Sequence, residues 1–414
     1  MQFKFKTKFY NKLSKLSMTL LLGLCVVSQS YAGGFQLLEA DAASTGDFHA
    51  GGAADNSSVA GEVYNAAILS TIHKKQLSVG GALITMHSSF TGEVKPLFVT
   101  KPASGSTSPI NFVPDLHYVN PLNQRWAIGF GIDSLYGLST KYSGAPIDEV
   151  ATSTSLKTIN FGPSISYLLT KNVSIGAGFD MVHAWADYDN VLGDKELTNS
   201  LDGQGYGYHL GVLIMLNPTT NVGLSYRSAI KLKLSGPSTY NDSKTTADAD
   251  FPLPSLTIIS ISHEFTHKFA AMFSALYTGW NDFDVLTLEN VEPLDGKIVV
   301  KQNYKNSWTY SLGAHYWLSQ KVMLKLGAAY DQTPTQDGYR DIRLPDANIY
   351  YLATGLHFNA SKRVGLDFGY AHVFFVKAKI DNSQAGGVLV PKVKGQSESS
   401  ANVFGAQLTW DIDA

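Results

Sequence analysis

From Gln76 onward, apolar and polar residues alternate with a period of two. That is the repeat of an extended strand, whose successive side chains point to opposite faces. Val222, Leu224, Tyr226, Ile230, Leu232 and Leu234 alternate with Asn221, Gly223, Ser225, Arg227, Ala229, Lys231 and Lys233. Val322, Leu324, Leu326, Ala328 and Tyr330 alternate with Lys321, Lys325, Gly327 and Asp331, and Phe404 to Ile412 repeat the scheme. The pattern predicts fourteen strands, near 76–92, 110–120, 125–141, 155–169, 172–188, 204–216, 221–235, 255–266, 268–280, 302–317, 321–332, 348–358, 363–378 and 400–413. Six connections are tight, such as Thr170-Lys171 and Ser319-Gln320, and seven are long: 93–109, 142–154, 189–203, 236–254, 281–301, 333–347 and 379–399. Short and long connections alternate along the whole chain. An up-and-down barrel in the outer membrane does this, with short periplasmic turns and longer external loops. The fold class expected is all-β, a 14-stranded antiparallel transmembrane β-barrel.

One face of these strands is apolar with aromatics near the ends; the other is small or sparsely charged. A soluble sandwich would carry a charge-dense outer face. Composition agrees with lipid outside: 16% of residues are charged, against ~25% in ordinary soluble domains. The chain also holds 37 Gly, 21 Tyr and 21 Phe. A formal net charge of −2 gives no basis for a nucleic-acid partner. No segment after the N-terminus approaches 18 uninterrupted apolar residues, so any spanning is done by strands.

The N-terminus departs from this pattern twice. Residues 1–32 carry five lysines, then the apolar run Met18–Val27, then Ser30-Tyr31-Ala32, the layout of a secretory signal peptide. The one cysteine, Cys25, falls in that leader. Then Gly34–Leu69 reads GFQLLEADAASTGDFHAGGAADNSSVAGEVYNAAIL, with no strand alternation and few large apolar residues. A compact small-residue piece ahead of a strand array reads as a plug in the lumen. The domains expected are therefore a signal peptide at 1–32, a hatch at 33–72 and a barrel at 73–414.

The hatch block and Trp308–Phe374, with Arg343-Leu344-Pro345-Asp346 in its long loop, resemble the FadL outer-membrane transporters. So does the turn Trp280-Asn281-Asp282-Phe283. The resemblance covers essentially the whole mature chain. It implies a hydrophobic ligand, either a long-chain fatty acid or an aromatic hydrocarbon, that lands on external loops and moves to a pocket above the hatch. It also implies hatch-gated, passive movement with lateral exit beside a kinked third strand. The family's early ligand-contacting Phe would be Phe35. Its Asn-Pro-Ala hatch motif would be Asn65-Ala66-Ala67, here without the proline. Alternation fails at Asp133–Gly137 in the third strand, and glycine inside a strand often marks a break, so Gly137 is the candidate kink.

Recognition of an apolar tail with a carboxylate calls for an inward cation. Alternation points Arg227, Lys231, Lys233, Lys325 and Arg363 inward, and Arg227, Lys325 and Arg363 are taken as ligand-binding candidates. The stretch His263-Glu264-Phe265-Thr266-His267 matches a zinc-protease pattern. That chemistry needs a helix, and here a β-branched run leads into a tight turn. Adjacent His87 and Ser88 point to opposite faces of a strand and cannot form a nucleophile–base pair. No enzyme activity, cofactor or metal is expected. The expected partners are the hydrophobic ligand and the lipid and lipopolysaccharide of a Gram-negative outer membrane, around a monomer. A general diffusion porin is the alternative, disfavoured by the hatch block, and a surface adhesin or phage receptor is a third reading.

Overall fold

The computed structural model describes residues 33–96, 99–293, 296–386 and 390–413; the leader expected at 1–32 lies outside them. Fourteen antiparallel strands run up and down. They are β1 (Gln76–Lys95), β2 (Lys101–Thr107 and Ile110–Pro121), β3 (Trp126–Asp133 and Gly137–Lys141), β4 (Ser153–Thr170) and β5 (Val173–Tyr188). Then come β6 (Lys195–Asn217), β7 (Thr220–Arg227 and Ile230–Tyr240), β8 (Ser243–Leu253 and Ser255–Thr266), β9 (Phe269–Gly279) and β10 (Ser307–Trp317). The set ends with β11 (Val322–Asp331), β12 (Ile349–Asn359), β13 (Val364–Phe375) and β14 (Lys392–Asp411). β14 returns to β1 along its full length, from Gln76 opposite Asp411 to Lys95 opposite Lys392, and closes the barrel. Closure removes the open edges that lipid cannot satisfy.

The strands are longer than the sequence pattern indicates. Lys101–Thr107, Lys195–Gly203 and Ser243–Leu253, all placed in long loops by the sequence, are paired strand. A spanning strand needs only about 9–11 residues, so β6, with 23, rises well beyond the bilayer. A further hairpin, Val285–Val291 with Gly296–Lys301, joins the same wall through β8.

Height along the barrel decides which face is apolar. Near the short turns, Leu224 and Tyr226 face lipid while Ser225 and Arg227 are buried in the lumen. At Ser228 and Ala229 the alternation of β7 reverses, and Ile230, Leu232 and Leu234 turn inward. β8 reverses likewise at Pro254: Ala249, Phe251 and Leu253 face in on one side of it, and Ser260 on the other. Lys231 and Lys233, expected inside, are therefore outside and exposed, and Lys231 pairs with Asp250 there at 2.6 Å. Above the bilayer the outer face meets water, so the pattern inverts to that of a soluble protein. The result is an upper lumen lined with aliphatic side chains.

Residues 33–72 lie within the barrel as short 3₁₀ turns at Ala43–Gly46, Val59–Val63 and Ala66–Thr71. The lumenal wall holds them by side-chain hydroxyls: Ser274 accepts from the Gly51 amide at 2.9 Å, and Ser260 from Ala53 at 3.1 Å. Lumenal glycines make the room. A Cβ on Gly223 would stand 1.8 Å from the Ala53 carbonyl oxygen, and one on Gly211 2.0 Å from Asn65 Oδ1.

Candidate functional site

β3 is interrupted at Ser134–Tyr136, and the wall is interrupted with it. β2 and β3 pair only from Pro121 opposite Ala127 to Leu116 opposite Ile132. Above that point Ile110–Asp115 pairs with β1 alone, and Gly137–Lys141 pairs with β4 alone. The Lys141 amide donates to Thr107 Oγ1 at 3.1 Å and closes the gap at its top. The start of the hatch fills the open edge. The Leu37 amide donates to the Leu135 carbonyl at 2.7 Å, and the Gly137 amide to the Phe35 carbonyl at 2.8 Å. Gln36 and Tyr136 form an antiparallel bridge between them. Gly137 thus restarts the strand just after the break and is one of its anchors to the hatch.

Phe35 projects from this junction into an aromatic cluster and is fully buried. Its ring lies 4.7 Å from Trp280, 5.0 Å from Phe283, 5.2 Å from Phe251 and 6.1 Å from Tyr136, centroid to centroid. Edge and tilted geometries of this kind are the favoured ones. Trp280 and Phe283 come from the turn that the sequence singles out; Phe251 and Tyr136 carry no local signal.

Above Phe35 the inverted strands line a cavity of about 860 Å³, its open mouth included. Its lining is dominated by Leu138, Leu156, Leu201, Leu234, Phe251 and Leu286. Below Phe35 a second cavity of about 630 Å³ lies between the hatch and the wall, bounded by Leu37, Leu38, Leu135 and Arg227. A third, of about 270 Å³, sits against the break itself at Leu135 and Tyr136. At the short-turn end a polar space of about 1510 Å³ opens beneath the hatch.

The cations marked by the sequence do not reach the upper cavity. Arg227 is buried, bonds Asp180, and donates to the Val63 carbonyl of the hatch at 3.0 Å. Asp180 also accepts from Asn160 and faces His209 at 3.1 Å. Lys325 pairs with Asp367 at 2.9 Å and donates to the hatch carbonyl of Ala43, also at 2.9 Å. Arg363 is exposed in the turn before β13 and borders the polar space. Two of the three are hatch tethers, because a buried charge is retained where it finds both a counter-charge and hydrogen bonds. Asn65 is a tether too: its amide donates to Ala53 O at 2.7 Å and Val212 O at 3.0 Å, while Oδ1 accepts from Ala67. That bond caps the Ala66–Thr71 turn and leaves Ala66 and Ala67 packed against Gly176. The sequence missed Arg343 as the cation beside the cavity; the Arg-Leu-Pro-Asp motif was its signal.

Burial acts on the hatch acids. Glu39 is 1% exposed, its Oε2 has no hydrogen-bond partner among the described residues, and burial pushes its carboxyl up to about 7. Burial lowers the His49 imidazole to about 4, and Tyr64 Oη meets its Nδ1 at 2.6 Å. Among the described residues no cluster of His, Cys, Asp and Glu could hold a metal ion. His263 of the zinc-like stretch instead bonds Thr220 at 2.8 Å.

Residues 23–412 match the model of the outer membrane protein transport protein family (OMPP1/FadL/TodX). The chain belongs to that family. Outer membrane protein P1 of Haemophilus influenzae is 26% identical, covering 92% of this chain and 95% of the relative. A long-chain fatty acid transport protein of Escherichia coli is 25% identical, covering 93% and 96%. Among solved structures, a Pseudomonas aeruginosa FadL homologue superimposes with a TM-score of 0.83 at 19% identity, covering 91% of this chain and 99% of that one. The Ralstonia pickettii toluene transporter TbuX gives 0.67 at 17% identity, covering 89% and 98%. This FadL-family chain is a multi-pass β-barrel of a Gram-negative outer membrane and transports hydrophobic substrates.

Proposed function

We propose that this barrel carries long-chain fatty acids or aromatic hydrocarbons across the outer membrane by passive diffusion, gated by the hatch. The observation that carries the reading is the hatch tip standing in the wall opening: Phe35–Leu37 pairs with the broken edge of β3 and divides the upper cavity from those beside the break. Ligand enters the upper cavity, displaces Phe35 from its aromatic cluster, and passes sideways between β2 and β3. A hydrophobic molecule gains by leaving through the wall, because lipid receives it where the periplasm would not. The names carried by relatives, fatty acid transport and toluene transport, support the ligand class. In this reading the chain is cleaved after Ala32, residues 33–72 act as the hatch and 73–414 as the barrel. A monomer suffices, since one barrel holds cavity, gate and exit. Exposed Trp126, Trp185, Trp308 and Trp410 seat it in outer-membrane lipid and lipopolysaccharide. A porin reading has no comparable support, because the hatch occupies the lumen.

The test is uptake of labelled oleate and toluene by cells lacking their own transporter. Deleting Leu135, the one residue by which Asp133–Gly137 exceeds its partner Lys157–Asn160 on β4, lets β3 run unbroken and should abolish uptake while the barrel still assembles. Undiminished uptake by that variant would move the exit to the polar space under the hatch.

A further inference from the structure

Among the described residues lining the upper cavity, one carries a basic side chain: Arg343. Its two terminal nitrogens are committed elsewhere. Nη1 donates to Thr154 Oγ1 at 2.7 Å and Ser153 O at 3.3 Å. Nη2 donates to Val150 O at 2.6 Å and Asp189 O at 3.0 Å. Those bonds use both hydrogens of each terminal nitrogen. One face of the group is covered by Tyr188, whose ring centroid is 3.7 Å from Cζ. A ligand carboxylate could take a bidentate hold on Arg343 only by displacing these oxygens and leaving buried carbonyls unpartnered, since Nε–H alone of the five donors lies outside these bonds. The two acidic side chains of the lining add further acceptors. Asp187 takes hydrogen bonds from Ser155 and Ser200, each at 2.8 Å, and Asp341 from Asn382 at 3.0 Å. Arg227 and Lys325, each tied to an aspartate and a hatch carbonyl, stand outside the cavity lining.

We propose that this cavity selects uncharged apolar molecules and rejects an ionised carboxylate. The proposal rests on the transport reading and narrows it to the hydrocarbon class. A carboxylate carried into this lining meets one guanidinium whose terminal nitrogens are already engaged and two aspartates of its own sign, so it loses more hydration than it recovers. Carboxylic acids therefore enter only in their protonated form.

Equilibrium binding of naphthalene and of 2-naphthoic acid to the full chain in lipid nanodiscs tests this, from roughly pH 4 to pH 8. Naphthalene should bind with an affinity independent of pH. Naphthoic acid should lose about tenfold in affinity per pH unit above its own carboxyl pKa. Ala249→Trp and, separately, Leu201→Trp fill the cavity from two strands. Either, once shown to fold by its heat-modifiable gel shift, should remove naphthalene binding. Oleate serves as a third probe. Naphthoate or oleate held as tightly when ionised, and lost in a filled variant, would overturn the selectivity while leaving hydrophobic transport standing. If none of the three probes binds in a way the filled variants abolish, the transport reading fails as well.

Discussion

The Gly137 amide donates to the Phe35 carbonyl at 2.8 Å, so the edge of β3 that β2 leaves open is capped by the hatch instead. The bond joins a stretch of wall that lacks its β2 neighbour to the residue whose ring stands between the cavities. In the proposed transport reading, gate and exit are the same contact. Movement of Phe35 would uncover the opening at the moment it connects the cavities on either side.

That coupling makes Phe35→Ala informative. Large-to-small changes of a buried Phe cost roughly 3–5 kcal/mol, and here the loss falls on docking of the hatch tip rather than on the barrel. Amide hydrogen exchange at Leu37 and Gly137 should accelerate by about tenfold or more while exchange in β10–β13 stays unchanged. Equal protection of both amides in the variant would show that the backbone pairing holds without the ring.

Glu39 gives hatch docking a pH dependence of known sign. In the undocked hatch its carboxyl titrates near the ordinary value of 4.5; docked and buried, it holds its proton to about 7. Docking therefore binds a proton, is strongest below 4.5, weakens as pH rises to 7, and is level above. His49 works oppositely, since its neutral form is the docked one and its imidazole is lowered to about 4. Comparing wild type with Glu39→Gln cancels that opposing part. The ratio of protease cleavage rates in the hatch, wild type over Glu39→Gln, should rise about tenfold or more from pH 5 to pH 8. A constant ratio would mean that Glu39 ionises in place without loosening the hatch.

Much of this architecture is legible in the sequence, for a physical reason. Lipid forces apolar side chains outward at every second residue, so the spanning parts of the strands show themselves. The hatch shows itself by small residues, since only they fit a lumen already narrowed by strands. Above the bilayer that constraint ends. The reversals at Ser228 and Pro254 hide the upper strands and turn Lys231 outward. Alternation gives a side chain's face and not its height, so it brought Arg227 and Lys325 inside without revealing that they meet the hatch rather than the cavity. The cluster around Phe35 draws on Tyr136, Phe251 and Trp280, which closure alone brings together.

The Arg227–Asp180 pair ties β7, β5 and the hatch carbonyl of Val63 at one buried point. Removing one partner of a buried pair strands the other charge, which typically costs about 3–5 kcal/mol. Arg227→Leu should therefore release the hatch more than the double change Arg227→Leu with Asp180→Leu. Urea dependence of hatch cleavage in the three proteins checks this. Equal losses in the single and double variants would mean that the bond to Val63, not the charge, holds the hatch.

Gly211 and Gly223 test whether the hatch is seated by space or by hydrogen bonds. Valine at either position puts a Cβ about 2 Å from a hatch oxygen, Asn65 Oδ1 in one case and Ala53 O in the other. Both oxygens belong to residues fixed by neighbours on two sides, so a small shift cannot relieve the overlap. Gly223→Val and Gly211→Val should assemble as heat-modifiable barrels, since the strand backbone accepts valine readily. Their hatches should be cleaved by added protease, and small sugars should cross liposomes that hold them. Leu224→Val, which places the same residue on the lipid face of the strand that carries Gly223, should do neither. Intact, protected hatches in both glycine variants would mean that the lumen yields, and that hydroxyls such as Ser260 and Ser274 set the docking.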